Sequence, residues 1–388
     1  MTGIRRVLFV HNAYQHRGGE DSVVADEMAL LRARGHAVES YARSNDEIPG
    51  LSRLALAQQT LWSRRTMHEL ETVVESFRPD VIHVHNTFPL ISPSLYWAAE
   101  KAGVPVVQTL HNFRLLCPQA MLLREGRVCE DCVGHLPWRG VVRACYRGSM
   151  AQSGVLGAML VLHRSLGTWQ NKVTRYIALN AFCRGKFIQG GLPAARIAVK
   201  PNFVDLPPPP DTTRSGILFV GRLSPEKGIS TLADAAKQIP GVGITIIGTG
   251  PEDVLLQGLA NVQTQGFCEA DTVHAAMCKA SCLVMPSIWY ENFPRTLVEA
   301  FACGLPVVAS RLGALAELIR EGETGLLFEP GNAADLAAKL SWVASHPAEM
   351  QRMGQAARAE YEANYTADIN YRQLMTIYDE AVQAFSPH

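Results

Sequence analysis

Cys282-Leu283-Val284-Met285-Pro286-Ser287 is followed by Tyr290-Glu291-Asn292-Phe293-Pro294-Arg295-Thr296-Leu297-Val298-Glu299-Ala300, and then by Gly304-Leu305-Pro306-Val307-Val308-Ala309-Ser310. The first block is a short apolar run that reads as a strand. The second reads as a loop entering a helix: Asn292 can cap, Pro294 suits the first turn, and Thr296 to Cys303 holds few breakers. The third reads as turn, then strand. That order makes a parallel crossover unit, with the helix start at the carboxyl end of a strand, where open α/β sheets bind ligands. Glu291 falls on the loop and Glu299 inside the helix, ~7–8 Å further along its axis. Two carboxylates so spaced can hold two polyol groups of one ligand, although two exposed glutamates near a helix start would show the same spacing.

Strand–helix alternation extends outward in both directions. In the first half, strands are predicted at Val7–Val10, Ala37–Tyr41, Val81–Val84, Val104–Gln108 and Tyr176–Leu179, with helices at Asp21–Arg34, Leu61–Phe77 and Ser94–Ala102. In the second half, strands are predicted at Gly216–Val220, Gly243–Ile247, Val262–Gln265, Cys282–Met285, Val307–Ala309 and Gly325–Phe328. The fold class is therefore α/β, with two doubly wound parallel-sheet halves. Pro207 to Pro210 form a stiff solvated element. The expected division is residues 1–202, with a cysteine-containing insert at about 112–150, then 203–368 and a last amphipathic segment, 369–388. A cleft between two such halves is the expected place for a ligand.

At 388 residues the chain is long enough for two ordinary domains, and 47% hydrophobic with 19% charged residues suits sizeable cores. Lys plus Arg and Asp plus Glu are both 36, which gives no support for nucleic-acid binding. Met1 to Arg6 leads straight into a strand without an apolar signal segment, and no apolar run reaches membrane-spanning length. The expected location is the cytoplasm, where the nine cysteines would be thiols or metal ligands rather than disulfides.

Four further motifs sit at predicted strand ends. Gly221-Arg222-Leu223-Ser224-Pro225-Glu226-Lys227-Gly228 supplies two cations beside a turn, suited to phosphate oxygens or simply solvated. Gly248-Thr249-Gly250-Pro251-Glu252 and Gly266-Phe267 follow the next two strands. Arg17-Gly18-Gly19-Glu20 at the first helix entrance is a candidate anion nest, and it lacks the dinucleotide pattern Gly-x-Gly-x-x-Gly. Thr109-Leu110-His111-Asn112-Phe113-Arg114 places a histidine and an arginine at another strand end.

Taken together, these residues resemble the family-four retaining glycosyltransferases, which carry Glu-x7-Glu in this setting. The resemblance covers most of the chain and is strongest from Gly216 to Pro330. It implies a GT-B architecture and transfer of a hexose-type sugar from a nucleoside diphosphate to a hydroxyl acceptor, with no catalytic metal or cofactor. It implies that Arg222 and Lys227 stabilise the leaving diphosphate. Glu291, with the backbone at Asn292 and Phe293, would bind the sugar, and Glu299 the ribose. It assigns Gly18, Gly19, Gly221, Gly248, Gly250 and Phe267 to donor contacts. His111 would meet the transferred sugar or acceptor, Arg114 an acceptor phosphate, and the last helix would return to the first domain. A GT-B epimerase and a non-catalytic sugar-nucleotide-binding module are the rival readings. Acceptor consumption distinguishes the first, and absence of transfer the second.

The insert contains Cys117, Cys129, Cys132 and Cys145, with His135 nearby. The Cys129-x2-Cys132 step suits a structural zinc; reduced thiols on a loop would look the same. The insert resembles one in bacterial polysaccharide-assembly glycosyltransferases, which implies a glycan or lipid-linked acceptor. The apolar run Val155–Leu166, with Arg143, Arg147, His163 and Arg164 near it, would either touch the inner face of the cytoplasmic membrane or form a core helix. The core helix fits the few basic residues better.

Overall fold

The computed structural model describes residues 6–15, 18–210 and 213–385, so Arg17 of the first helix entrance lies outside the described residues. The strands, in chain order, are β1 Arg6–Ala13, β2 Ala37–Ser44, β3 Val81–Asn86, β4 Val106–Thr109, β5 Leu123–Arg124, β6 Arg127–Val128, β7 Arg175–Ala178, β8 Ile197–Val199, β9 Ile217–Val220, β10 Ile244–Ile247, β11 Val262–Thr264, β12 Cys282–Met285, β13 Val307–Ser310 and β14 Gly325–Phe328. The chain divides into two compact units. The first holds the stretch up to Met121, Glu130–Pro201 and the segment from Asn370; the second holds Asn202–Ile369 and the short hairpin stretch Leu122–Cys129.

The first unit carries a six-stranded parallel sheet in the order β2-β1-β3-β4-β7-β8. Val7, Leu8, Phe9 and Val10 are all fully buried, because helices cover both faces of a parallel sheet. β3 is buried along its whole length even though it contains His83 and His85. Residues two apart share a face, so both imidazoles enter the same core layer. A helix that was not expected, Arg53–Leu61, precedes the one expected at Leu61–Phe77, which spans Arg64–Phe77. Ser63 caps the second helix by accepting from the Thr66 N–H. β5, β6 and β8 lie beyond the expected strands.

Helix Met150–Ser165 replaces the apolar run at Val155–Leu166 and buries Leu156, Met159, Leu160 and His163. It is a core helix. No helix among the described residues is long and apolar enough to cross a membrane.

The second unit has a parallel sheet in the order β11-β10-β9-β12-β13-β14. β9 and β12 pair in parallel, and the strand order runs outward from them in opposite directions. The crevice at the carboxyl ends of these two strands is the topological switch point of such a sheet. Its core includes Ile217, Phe219, Leu232, Val284, Val308 and Leu336, packed by the flanking helices.

Candidate active site

The loops after β9 and β12 meet at the switch point. The Ile288 N–H donates to the Glu226 carbonyl at 3.0 Å, which laces the two loops together. This brings Lys227 to Glu291: Nζ donates to Oε1 at 2.6 Å, and Ser287 Oγ donates to the same oxygen at 2.7 Å. Glu291 is only 4% exposed. Both bonds fall on Oε1, so Oε2 keeps its acceptor capacity among the described residues. Arg222, with 69% of its side chain exposed, donates from Nη2 to Glu226 Oε1 at 2.7 Å and from Nε to Ser224 Oγ at 3.2 Å. Burial alone would raise the Glu226 carboxyl; hydrogen bonds from Ser224, its own backbone and Arg222 outweigh it and hold the group below the usual range. Each cation thus has a carboxylate partner before any anion arrives.

The Gly-x-Gly loop after β10 also has a packing reason. A Cβ on Gly248 would lie 1.9 Å from the Gly221 carbonyl oxygen, and its φ is +143°. Only glycine lets the loops after β9 and β10 run this close. Gly250 is equally tight, with a Cβ position 2.2 Å from the Leu223 oxygen. The Gly248 N–H then donates to the Gly266 carbonyl at 2.7 Å, which carries the lacing to the loop bearing Phe267. That ring is 75% exposed, so its face is open to a planar ligand.

Two expectations about helix Arg295–Ala302 need correction. Pro294 is its N-cap residue, with no side-chain cap bond, so Asn292 does not cap it and Pro294 is outside the first turn. Asn292 and Phe293 are buried instead, with the Phe293 ring 6.0 Å from that of Tyr365. Glu299 accepts from Arg295 Nε at 2.9 Å, an i,i+4 pair on the helix.

In the first unit the Gly18 N–H donates to Asp21 Oδ2 at 2.8 Å, so the expected anion nest already holds a carboxylate of its own helix. Asp21 Oδ1 also pairs with His11 Nε2 at 2.8 Å. Tyr14 donates to Glu20 Oε2 at 2.9 Å, and burial pushes the Glu20 carboxyl up to about 8. Arg114 donates to the Pro118 carbonyl at 2.6 Å, and its guanidinium lies 4.4 Å from the centroid of Phe88 and 5.3 Å from that of Tyr146. It is thus held against aromatic faces rather than presented on a flexible arm.

His111 belongs to a polar cluster that sequence reading missed. Its Nε2 lies 2.8 Å from His85 Nδ1. His85 Nε2 faces Glu27 Oε2 at 3.5 Å, and His83 Nδ1 faces it at 3.7 Å. Glu27 Oε1 accepts from Lys200 Nζ at 2.6 Å; Glu27, His83 and Lys200 are all fully buried. Lys200 also donates to Asn370 Oδ1 at 3.2 Å, and Tyr378 OH meets His83 Nδ1 at 2.7 Å, so the last helix closes the cluster. Burial pushes His83 and His85 well below the ordinary imidazole range and His111 to about 3. All three rings are therefore neutral at pH 7.

Among the described residues, two groups hold three metal-type ligand atoms within 4.8 Å of one another: His274, Cys278 and Cys303, and Glu27, His83 and His85. In the second, the Lys200 ammonium already supplies the positive charge.

Two family models match. "Glycosyltransferase Family 4" covers residues 17–207, and "Glycosyl transferases group 1" covers 207–360. The chain is 35% identical over 412 residues to the D-inositol 3-phosphate glycosyltransferase of Arthrobacter sp. (strain FB24), covering 92% of this chain and 91% of that protein. It is also 35% identical to the sulfoquinovosyl transferase SQD2 of Arabidopsis thaliana over 153 residues, 38% of this chain and 30% of the relative. The solved structure of Anabaena Alr3699/HepE in complex with UDP superposes with a TM-score of 0.70 at 20% identity, covering 96% of this chain and all of that one. With two parallel-sheet units, a switch-point site and matches along nearly its whole length, the chain belongs to the family-four glycosyltransferases of GT-B fold.

Proposed function

We propose that the protein is a retaining glycosyltransferase that moves a sugar from a nucleoside-diphosphate sugar to a hydroxyl acceptor, in cell-surface polysaccharide or glycolipid assembly. The observation that carries this reading is the Lys227–Glu291–Ser287 triangle beside Arg222 at the switch point of the second unit. Charge develops on the leaving diphosphate as the sugar departs. Arg222 and Lys227 supply the preorganised positive charge that a divalent ion provides elsewhere. Arg222 turns from Glu226 to the phosphates, and Lys227 shares its ammonium between Glu291 and the phosphates. Glu291 Oε2 and the Asn292 and Phe293 backbone hold the sugar hydroxyls. Glu299 holds the ribose, Phe267 stacks near the base, and Gly221, Gly248 and Gly250 let backbone approach the nucleotide.

On the first unit, His111 meets the transferred sugar and Arg114 the acceptor, with Gly18 and Gly19 near the phosphates. A glycan or lipid-linked acceptor at a membrane surface is supported by an exposed patch there: Leu136, Trp138, Val142 and Met150 are each more than half exposed, beside Arg139 and Arg147.

HepE has been solved with UDP-glucose, which makes that compound the first donor to try. Donor turnover followed by proton NMR reads the anomer first formed. Product of the donor's own configuration supports retention; the opposite anomer overturns it. Nucleotide release without acceptor consumption would favour an epimerase, and tight binding without turnover a binding module.

A further inference from the structure

We infer that Glu27 and His85 form a relay that fixes His111 in a single tautomer, with Nε2 protonated and turned inward and Nδ1 left as a hydrogen-bond acceptor. Its functional consequence rests on the proposal that His111 touches the transferred sugar.

The argument begins at the buried carboxylate. Glu27 Oε1 is taken by Lys200 Nζ at 2.6 Å, whereas Oε2 is buried without a hydrogen-bond partner. A carboxylate paired with an ammonium can only accept. Two ring nitrogens face Oε2. His83 Nδ1, at 3.7 Å, is already bonded to Tyr378 OH, and His83 Nε2 to Thr109 Oγ1 at 2.8 Å. His85 Nε2, at 3.5 Å, is itself buried without a partner. The two unpartnered atoms therefore face each other. Placing the proton on His85 Nε2 turns a repulsive pair of lone pairs into a long donor–acceptor contact.

The proton then has one consistent place further along. His85 is neutral, so protonation at Nε2 leaves a lone pair on Nδ1. His111 Nε2 stands 2.8 Å from it and must be the donor. His111 is neutral as well, so Nδ1 carries its lone pair, and this nitrogen meets no partner among the described residues. The other elements around the chain of rings do not reverse this order. From β1, the His11 ring stands edge-on to His85 at 6.4 Å, and its Nε2 is committed to Asp21. Lys200 follows β8, Thr109 ends β4 and Tyr378 comes from the last helix; each is already bonded to Glu27 or His83. His85 and Glu27 are thus positioning residues, and the group they position offers a lone pair to a ligand hydroxyl. The opposite tautomer would present an N–H there and select a different hydroxyl orientation.

The test is nitrogen-15 NMR of histidine-labelled full-length chain, with His111 assigned by its loss in His111→Asn. A protonated Nε2 and a bare Nδ1 are expected for His111 at pH 7. A protonated Nδ1 in wild type overturns the inference without any variant. His85→Phe removes both ring nitrogens and should leave His111 as a mixture, whereas His85→Asn, whose amide oxygen falls near Nδ1, should restore the single tautomer. An unchanged spectrum in folded His85→Phe also overturns it. With UDP-glucose as donor, kcat should fall about tenfold in His85→Phe with KM for donor little changed, and His85→Asn should recover most of it. If wild type turns over no nucleotide sugar while the NMR result holds, the functional proposal fails and the relay stands.

Discussion

The two units place their polar residues in opposite ways. In the second, Arg222, Lys227 and Glu291 sit on loops at strand ends and are paired across a few residues of local structure or one loop contact. In the first, Glu27, His83, His85 and Lys200 sit in the core, on elements up to 173 residues apart in sequence. The loop pairs of the second unit leave charge at strand ends. The core cluster of the first spends charge on fixing geometry, because a buried ion pair returns little net stability but is costly to break. Under the proposed function, the comparison separates groups that would meet the substrate from groups that would hold them.

The largest expected effect lies in the second unit. Arg222→Ala and Lys227→Ala should each lower turnover by about 10²–10³, the size seen when one preorganised donor to a developing charge is removed. Near wild-type rates in both would break the comparison. Stability should then distinguish them. Arg222 is mostly exposed, so its loss should cost within about 0.5 kcal/mol. Lys227→Ala leaves the buried Glu291 without its cation, at about 2–3 kcal/mol in denaturant unfolding.

Lys200→Ala in the first unit should cost about 3–5 kcal/mol, since it strands a fully buried Glu27. A cost below about 1 kcal/mol would mean that the pair is not a supporting element. Acid should expose the same cluster. His83 and His85 have folded pKa values below the unfolded 6.5, so the unfolded chain binds protons that the fold refuses. Their contribution is complete above about pH 6.5 and is lost as pH falls below it, by up to about 1.4 kcal/mol per pH unit for each ring. Chemical unfolding between pH 7.5 and 5 reads this slope, and a flat profile would contradict neutral buried rings.

The smallest effect compares two motif glycines. Gly19→Ala meets nothing within 4 Å at a helix start, and its unfolding free energy should change by less than about 1 kcal/mol. Gly248→Ala collides with the Gly221 carbonyl and should cost clearly more.

The second unit was legible in the sequence almost throughout. Most of its strands are short apolar runs with a glycine or proline at or beside one end, and Arg222, Lys227 and Glu291 lie on the loops that follow β9 and β12. What the sequence concealed there was local: Pro294 caps rather than enters its helix, and the glycines after β10 serve loop packing. In the first unit, His111 stood out at a strand end, but its partners did not. A lone polar residue inside a buried strand has no periodic signature, and Glu27, Lys200 and Tyr378 meet only through the tertiary fold. The His-x-His step at His83 and His85, on one face of a strand, was the available signal. The cysteine spacing is a different case: Cys129-x2-Cys132 fixes two candidate ligands, and the place of Cys117 and Cys145 is set by the path of the loop rather than by the spacing.

The most direct test of the central claim is equilibrium binding of UDP, GDP and ADP to wild type and to Arg222→Ala. Binding of at least one nucleotide by wild type, weakened tenfold or more in the folded variant, is the predicted result. Equal binding by both proteins would contradict the claim that the switch-point cations of the second unit hold the donor diphosphate.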